Sequence, residues 1–339
     1  MYASVKNCNA HSTAKNFVIF TERNFHLGFL VWLLRGLLCS ARHDPSGKAV
    51  LITGCDTGIG NAVARHLDQL GCLVFAGCAD TASEGAQRLR LEATGRLQLV
   101  NMDLTRKDGL RVAVDYVETN LSALGYSGLW AVINNAGVAV CGEFDWQTIG
   151  QVEHQVDVNL LGMLRLTKLC LPLLKKGNGR LVNVSSVAGI YGYPGLSVYC
   201  ATKHAMEGFS QVLRVELAKF GLEVVTIQPG DFSKATHLLN NHHSNMNQMW
   251  AEMSDESREE YKQYFLSYHD SVAKSGFTGR RLKPVFKLPH SLLVGFERAV
   301  LARVPRPVYR LMPTWRSRVN MFLLGLLPTP WARYLMTRR

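Results

Sequence analysis

The chain has 339 residues, 47% apolar and 19% charged, with a formal net charge of +12 at neutral pH. That length suits one large domain or two small ones with a sizeable core, and that balance excludes a disordered chain. The eight cysteines form no CxxC pair and no Cys/His cluster, so neither a disulfide framework nor a metal site is supported and a reducing compartment is expected.

The first 42 residues carry Lys6, Lys15, Arg23, Arg35 and Arg42 against a single acid, Glu22. Within them, residues 25–39 read FHLGFLVWLLRGLLC. This run is broken by Arg35 and falls short of the ~20 apolar residues that cross a bilayer. Three readings stay open: a short or monotopic membrane anchor, an uncleaved signal anchor, or a mitochondrial presequence. The following ARHDPSG reads as a linker, so residues 1–47 form an anchor or targeting segment and the folded domain is expected from Lys48.

From Lys48 the pattern alternates. AVLIT is a short β-branched run ending at glycine, as a buried parallel strand would be. GIGNAVARHLDQLG then has helical spacing, with Ile59, Val63, Leu67 and Leu70 on one stripe and Gly71 as the stop. CLVFAGC predicts a second strand, followed by a helix to about Ala93. RLQLVNMD predicts a third strand, with a helix over roughly 105–121. LWAVINNAG is a fourth strand, and one long helix is expected over about 148–176. GRLVNVSS is a fifth strand, 196–220 a helix, and LEVVTIQPG a sixth strand. Strands alternating with helices predict an α/β fold with a doubly wound, Rossmann-type parallel sheet in a single domain. The Asn183-Val-Ser sequon falls inside the fifth strand, so it reads as a chance match.

Two segments lie beyond this core. Residues 231–287 include Trp250, Met253, Tyr261, Tyr264, Phe265 and Tyr268. They are read either as a helical pair packed on its own core or as a lid over an apolar substrate pocket. The dehydrogenase domain is expected to run from 48 to 312, followed by a tail over 313–339. From Arg298 to Arg339 there are nine arginines and no acid, interleaved with Trp315, Phe322, Leu323, Leu324 and Trp331. This pattern points to an anionic membrane surface, or to a docked terminal helix with solvated arginines. No nucleic-acid module is recognisable.

The first strand-to-helix turn, TGCDTGIG, places Gly54, Gly58 and Gly60 where backbone amides can approach a pyrophosphate at a helix N-terminus. Further on, Tyr199 and Lys203 stand four apart on one predicted helix face. An ammonium one turn from a phenol, whose ordinary pKa is ~10, favours the phenolate and suits it to proton transfer.

Thr53 to Gly60, Asn134-Asn135-Ala136-Gly137, Ser186, Tyr199, Lys203 and Pro229-Gly230 occur in one order along the chain. In that order and near those spacings they resemble the short-chain dehydrogenase/reductase family. FAGC, PGDF and the basic tail are similar to its branch of retinol, hydroxysteroid and 3-hydroxybutyrate dehydrogenases. The resemblance implies catalytic roles for Tyr199, Lys203, Ser186 and Asn159, the last holding a water beside the lysine. It also implies cofactor contacts from Gly54, Thr57, Gly58, Ile59 and Gly60, from Asn135, Ala136 and Gly137, from Tyr199 and Lys203, from Pro229 and Gly230, and from Asp103.

By the spacing of the family that the chain resembles, the positions that discriminate a 2′-phosphate are Cys78 and Ala79, with the cofactor-side acid Asp80 just beyond. No basic residue lies between Cys72 and Arg88, so NAD is expected over NADP. The implied activity is NAD-dependent interconversion of an alcohol and a carbonyl on a steroid- or retinoid-like substrate. 3-Hydroxybutyrate oxidation is the rival, with Arg258 or Lys262 holding the carboxylate. A catalytically idle cofactor-binding protein is the alternative from another class. Expected partners are a hydrophobic alcohol or ketone, a membrane surface of the endoplasmic reticulum or mitochondrion, and a homo-oligomer.

Overall fold

The computed structural model describes residues 41–233, 236–273 and 288–328, together with Trp331 and Tyr334. The apolar stretch at 25–39 and the end of the expected lid, 274–287, lie outside the described residues.

Seven strands form one parallel sheet: β1 (Ala49–Thr53), β2 (Leu73–Cys78), β3 (Leu97–Asn101), β4 (Ala131–Asn134), β5 (Arg180–Val184), β6 (Glu223–Pro229) and β7 (Val308–Leu311). Their order is β3-β2-β1-β4-β5-β6-β7. Five positions of β1 pair with Leu73–Gly77 of β2, and Val50 to Ile52 pair with Ala131 to Ile133 of β4. The order reverses direction between β1 and β4. That crevice at the carboxyl ends of the strands is where an open α/β sheet binds ligands.

Successive residues of β1 feed opposite faces, as a strand requires. Val50 and Ile52 join a core with Val63 and Leu67 of α1 (Gly58–Leu70) and Phe296 and Val300 of α9 (His290–Leu301). Ala49 and Leu51 join Leu110 and Val114 of α3 (Lys107–Ala123), Leu166 of α5 (Met163–Lys176) and Leu213 of α6 (Ser197–Ala218). A short α2 (Glu84–Glu92) follows β2. Both faces are therefore covered, which is why every position of β1, β2, β4 and β5 is buried.

Three departures from the sequence reading matter for the site. The expected 148–176 helix is interrupted: α4 (Ile149–Val156) passes into a π-helical turn at Asp157–Gly162 before α5. The stretch 41–47 is not a free linker. His43 N–H donates to Leu301 O at 2.7 Å, Arg303 N–H donates to Ala41 O at 2.9 Å, and Arg42 pairs with the buried Glu297. The third departure is at the other end, where β7 extends the sheet and α10 (Trp315–Leu326) crosses back over the site.

The 231–287 segment contributes α7 (His242–Glu252) and α8 (Asp255–Val272). Its aromatics form a core of their own. The rings of Tyr261, Tyr264, Phe265 and Tyr268 surround Trp146 at centroid distances of 5.1–5.7 Å, and Trp250 lies tilted against Phe265 at 5.1 Å. The packed helical pair, rather than an aromatic pocket wall, is what the structure shows. Edge-to-face geometry of this kind stabilises beyond the buried area alone.

Candidate active site

The glycine turn after β1 fits a bound pyrophosphate for a steric reason. Gly58 adopts φ +63°, a left-handed conformation that side chains rarely take. A Cβ on Gly60 would fall 2.3 Å from Gly54 O and 2.4 Å from Asn135 Nδ2, so this crossing admits no side chain. Thr57 caps α1 without a side-chain bond, which leaves the first-turn amides free of side-chain acceptors. Thr53 locks the turn to the end of β4: its Oγ1 accepts from Asn135 N at 3.0 Å and Ala136 N at 2.9 Å. Asn135 Nδ2 returns a bond to Thr53 O at 2.8 Å.

A cavity of about 810 Å³ opens over this turn, lined by Gly54, Thr57, Gly58 and Ile59, and by Asp103, Asn135, Ala136 and Gly137. Ser186, Tyr199, Lys203, Pro229 and Gly230 also line it. Of the residues expected at a cofactor, Gly60 supports the turn from below and Asp80 lies off the cavity. Asp80 is an exposed turn residue whose Oδ1 accepts from Ala82 N at 2.8 Å. The acid that faces this corner is Asp56. Its two oxygens accept from Ala79 N at 3.1 Å and Asp80 N at 3.0 Å, which fixes a carboxylate at the end of β2. Asp103 accepts from the Thr105 amide at 2.9 Å and from its hydroxyl at 2.7 Å; the α3 N-cap is Arg106 instead.

Tyr199 and Lys203 sit in the first turns of α6, and both are buried. Lys203 Nζ lies 5.7 Å from the Tyr199 ring centre and donates to Val184 O at 2.9 Å. Burial pulls the Lys203 ammonium down to about 8, with Glu207 acting in the opposite direction. Burial also pushes the Tyr199 phenol up to about 12, and a hydrogen bond with Ser186 works against that rise. Ser186 follows β5 and caps the short turn Val187–Gly189, accepting from Ala188 N at 3.1 Å. Ser185, its neighbour, turns away and donates to Lys203 O at 3.4 Å.

Asn159 is carried by the π-helical turn. π-Bulges recur at functional sites because the widened turn re-aims a side chain. Here Asn159 Oδ1 accepts from Val138 N at 2.8 Å and Nδ2 donates to Val138 O at 2.8 Å. A third bond reaches Thr202 Oγ1 at 3.2 Å, next to Lys203. Asn159 thus ties the strand end after β4 to the helix that carries Tyr199 and Lys203.

A second cavity, of about 700 Å³, meets the first at Ser186 and Tyr199. Its walls are Ala139, Cys141, Leu196, Leu239 and Met312, with Met321 and Leu324 from α10. Among the described residues no Lys or Arg lines it. Arg258 and Lys262 are engaged elsewhere: Arg258 with Trp250 O, Ala251 O and Asp255, and Lys262 near Glu259 at 3.8 Å.

A short chain dehydrogenase family model matches residues 48–247. The chain belongs to the short-chain dehydrogenase family. It is 36% identical to the 17-beta-hydroxysteroid dehydrogenase type 6 of Bos taurus over 293 residues, covering 86% of this chain and 88% of that protein. Retinol dehydrogenase 16 of Mus musculus is 36% identical over 288 residues, covering 83% and 85%. The mitochondrial D-beta-hydroxybutyrate dehydrogenase of Bos taurus is 36% identical over 264 residues, covering 75% and 76%. This short-chain dehydrogenase is accordingly an oxidoreductase of the alcohol–carbonyl class.

Two features of its site had no sequence signal on their own. Asp56 sits inside the glycine turn and looks like any turn acid until its carboxylate is seen on the two amides that follow β2. The residues of α10 reach the pocket only through the path of the chain after β7.

Proposed function

We propose that this protein is an NAD-dependent dehydrogenase that interconverts an alcohol and a carbonyl on a bulky, neutral, steroid- or retinoid-like substrate. One observation carries the reading: Ser186 and Tyr199 stand where a cavity over a phosphate-type glycine turn meets an apolar cavity free of described cations. A nicotinamide cofactor bound in the first cavity supplies hydride acceptance and return. The chain's own groups handle the oxygen. Tyr199 Oη takes or gives the proton there, Ser186 Oγ hydrogen-bonds the same oxygen, and Lys203 offsets the burial that opposes phenolate formation. Asn159 keeps the Lys203 helix in register with the strand ends.

Asp56 supports NAD over NADP. A 2′-phosphate at the end of β2 would meet a fixed carboxylate, and Lys203 is the only Lys or Arg among the described residues lining that cavity. A small hydroxy acid is less well served, because its carboxylate finds no cation in the apolar cavity. The similarity to a retinol dehydrogenase and a 17-beta-hydroxysteroid dehydrogenase fits the bulky substrate.

The membrane-surface reading rests on α10. Trp315, Phe322 and Leu326 are exposed there, beside Arg316 and Arg318. No helix among the described residues is long and apolar enough to cross a membrane. The endoplasmic reticulum and the mitochondrion both remain compatible with surface docking.

Purified protein with NAD, screened against sterols, retinols and 3-hydroxybutyrate, tests the reading. Turnover of the neutral alcohols supports it, and turnover of 3-hydroxybutyrate alone overturns the substrate class. An idle cofactor-binding protein would bind NAD and turn over none of them.

A further inference from the structure

Asp231 follows Pro229-Gly230 at the end of β6 and is the only acidic or basic residue among the described residues lining the apolar cavity. Its Oδ1 accepts from Ser233 N at 3.1 Å and from the Ser233 hydroxyl, so the carboxylate is held in place at the rim. The Cys141 thiol, which lines the same cavity, is pushed up to about 12, by burial first and by Asp231 second. The chain as a whole is strongly cationic, at +12. Yet the α10 residues that face this cavity, Ser317, Asn320, Met321 and Leu324 among them, are all uncharged, and Arg316 and Arg318 are not part of the wall.

We infer that Asp231 is a charge filter, a specificity-determining residue that repels anionic substrates and reserves the cavity for neutral alcohols and ketones. The inference rests on the proposed use of this cavity for substrate. A substrate carboxylate seated there would face a fixed like charge, with no described cation in the wall to offset it. At a solvent-exposed rim the repulsion is partly screened, so the expected effect is about tenfold in affinity rather than thousands.

The test uses the full chain and a matched pair of probes, decanol and decanoate, with dissociation constants measured by calorimetry. The wild type should bind decanoate at least about tenfold more weakly than decanol, and added salt should narrow that gap. Asp231→Asn keeps an oxygen for the Ser233 bonds while removing the charge. It should tighten decanoate by about tenfold, leave decanol unchanged and abolish the salt effect. Asp231→Glu should retain the discrimination. A decanoate constant unchanged in Asp231→Asn overturns the filter while leaving the apolar cavity intact. Failure of decanol to bind either form overturns the cavity reading, and the filter with it.

Discussion

Lys203→Met removes a buried ammonium and leaves a side chain of similar length. The folded chain holds the Lys203 proton only up to about 8, against 10.5 for an ordinary lysine, with burial as the main cause. At ~1.4 kcal/mol per unit, confining that charge costs roughly 3 kcal/mol at neutral pH. The sign follows from proton counting. Between pH 8 and 10.5 the unfolded chain binds more protons at this group than the folded chain does. Its contribution to stability is therefore flat below the folded value and rises with pH through that window.

The buried thiols Cys72, Cys78, Cys141 and Cys170, each raised to about 12, act in the opposite sense above their ordinary 9.0. Only the difference between wild type and variant isolates Lys203. Urea unfolding of both proteins without cofactor, under reducing conditions and at several pH values from neutral to alkaline, gives that difference. Wild-type stability should improve relative to Lys203→Met by up to ~1.4 kcal/mol per pH unit across the window. A difference independent of pH would refute the reasoning, because it would mean that burial costs the ammonium nothing.

Tyr199→Phe should lower turnover by about a hundredfold or more while leaving NAD affinity within a few-fold, since only the proton-carrying hydroxyl is lost; steady-state rates and cofactor titration read the two separately. Asp56→Asn combined with Ala79→Arg should move the ratio of kcat/KM for NAD and NADP toward NADP, and an unchanged ratio would place the discrimination elsewhere. Gly60→Ala should cost about 1–3 kcal/mol in unfolding free energy and weaken NAD binding, because its Cβ meets backbone and Asn135 with no room to shift.

Most of the sheet was legible because its strands are buried on both faces and bounded by turn residues. Val50 and Ile52 face one core and Ala49 and Leu51 the other, so the first four positions of AVLIT carry no polar residue to blur the pattern. The glycine turn and the Tyr199–Lys203 spacing are local, and local chemistry survives in one dimension. The π-helical turn under Asn159 was not legible, because nothing in DVNLLG distinguishes a widened turn from an ordinary one. β7 was missed because VYRL is short and only its neighbour β6 makes it a strand. The aromatics of α8 were ambiguous until Trp146, more than a hundred residues away, was found at their centre. Arg258 and Lys262 looked available to a carboxylate until their partners were seen within the α7–α8 pair.

The account's central claim is that Tyr199 works on an alcohol delivered by the apolar cavity. The most direct measurement is formation of reduced nicotinamide by wild type and Leu324→Arg, with a steroid or retinoid alcohol and with 3-hydroxybutyrate. Leu324 lines the cavity from α10, far from the cofactor turn in sequence. The account predicts that wild type oxidises the bulky neutral alcohol, and that Leu324→Arg loses at least about tenfold in kcat/KM on it with NAD affinity unchanged. Efficient oxidation of 3-hydroxybutyrate by wild type, with the bulky alcohols untouched and Leu324→Arg without effect, would contradict it.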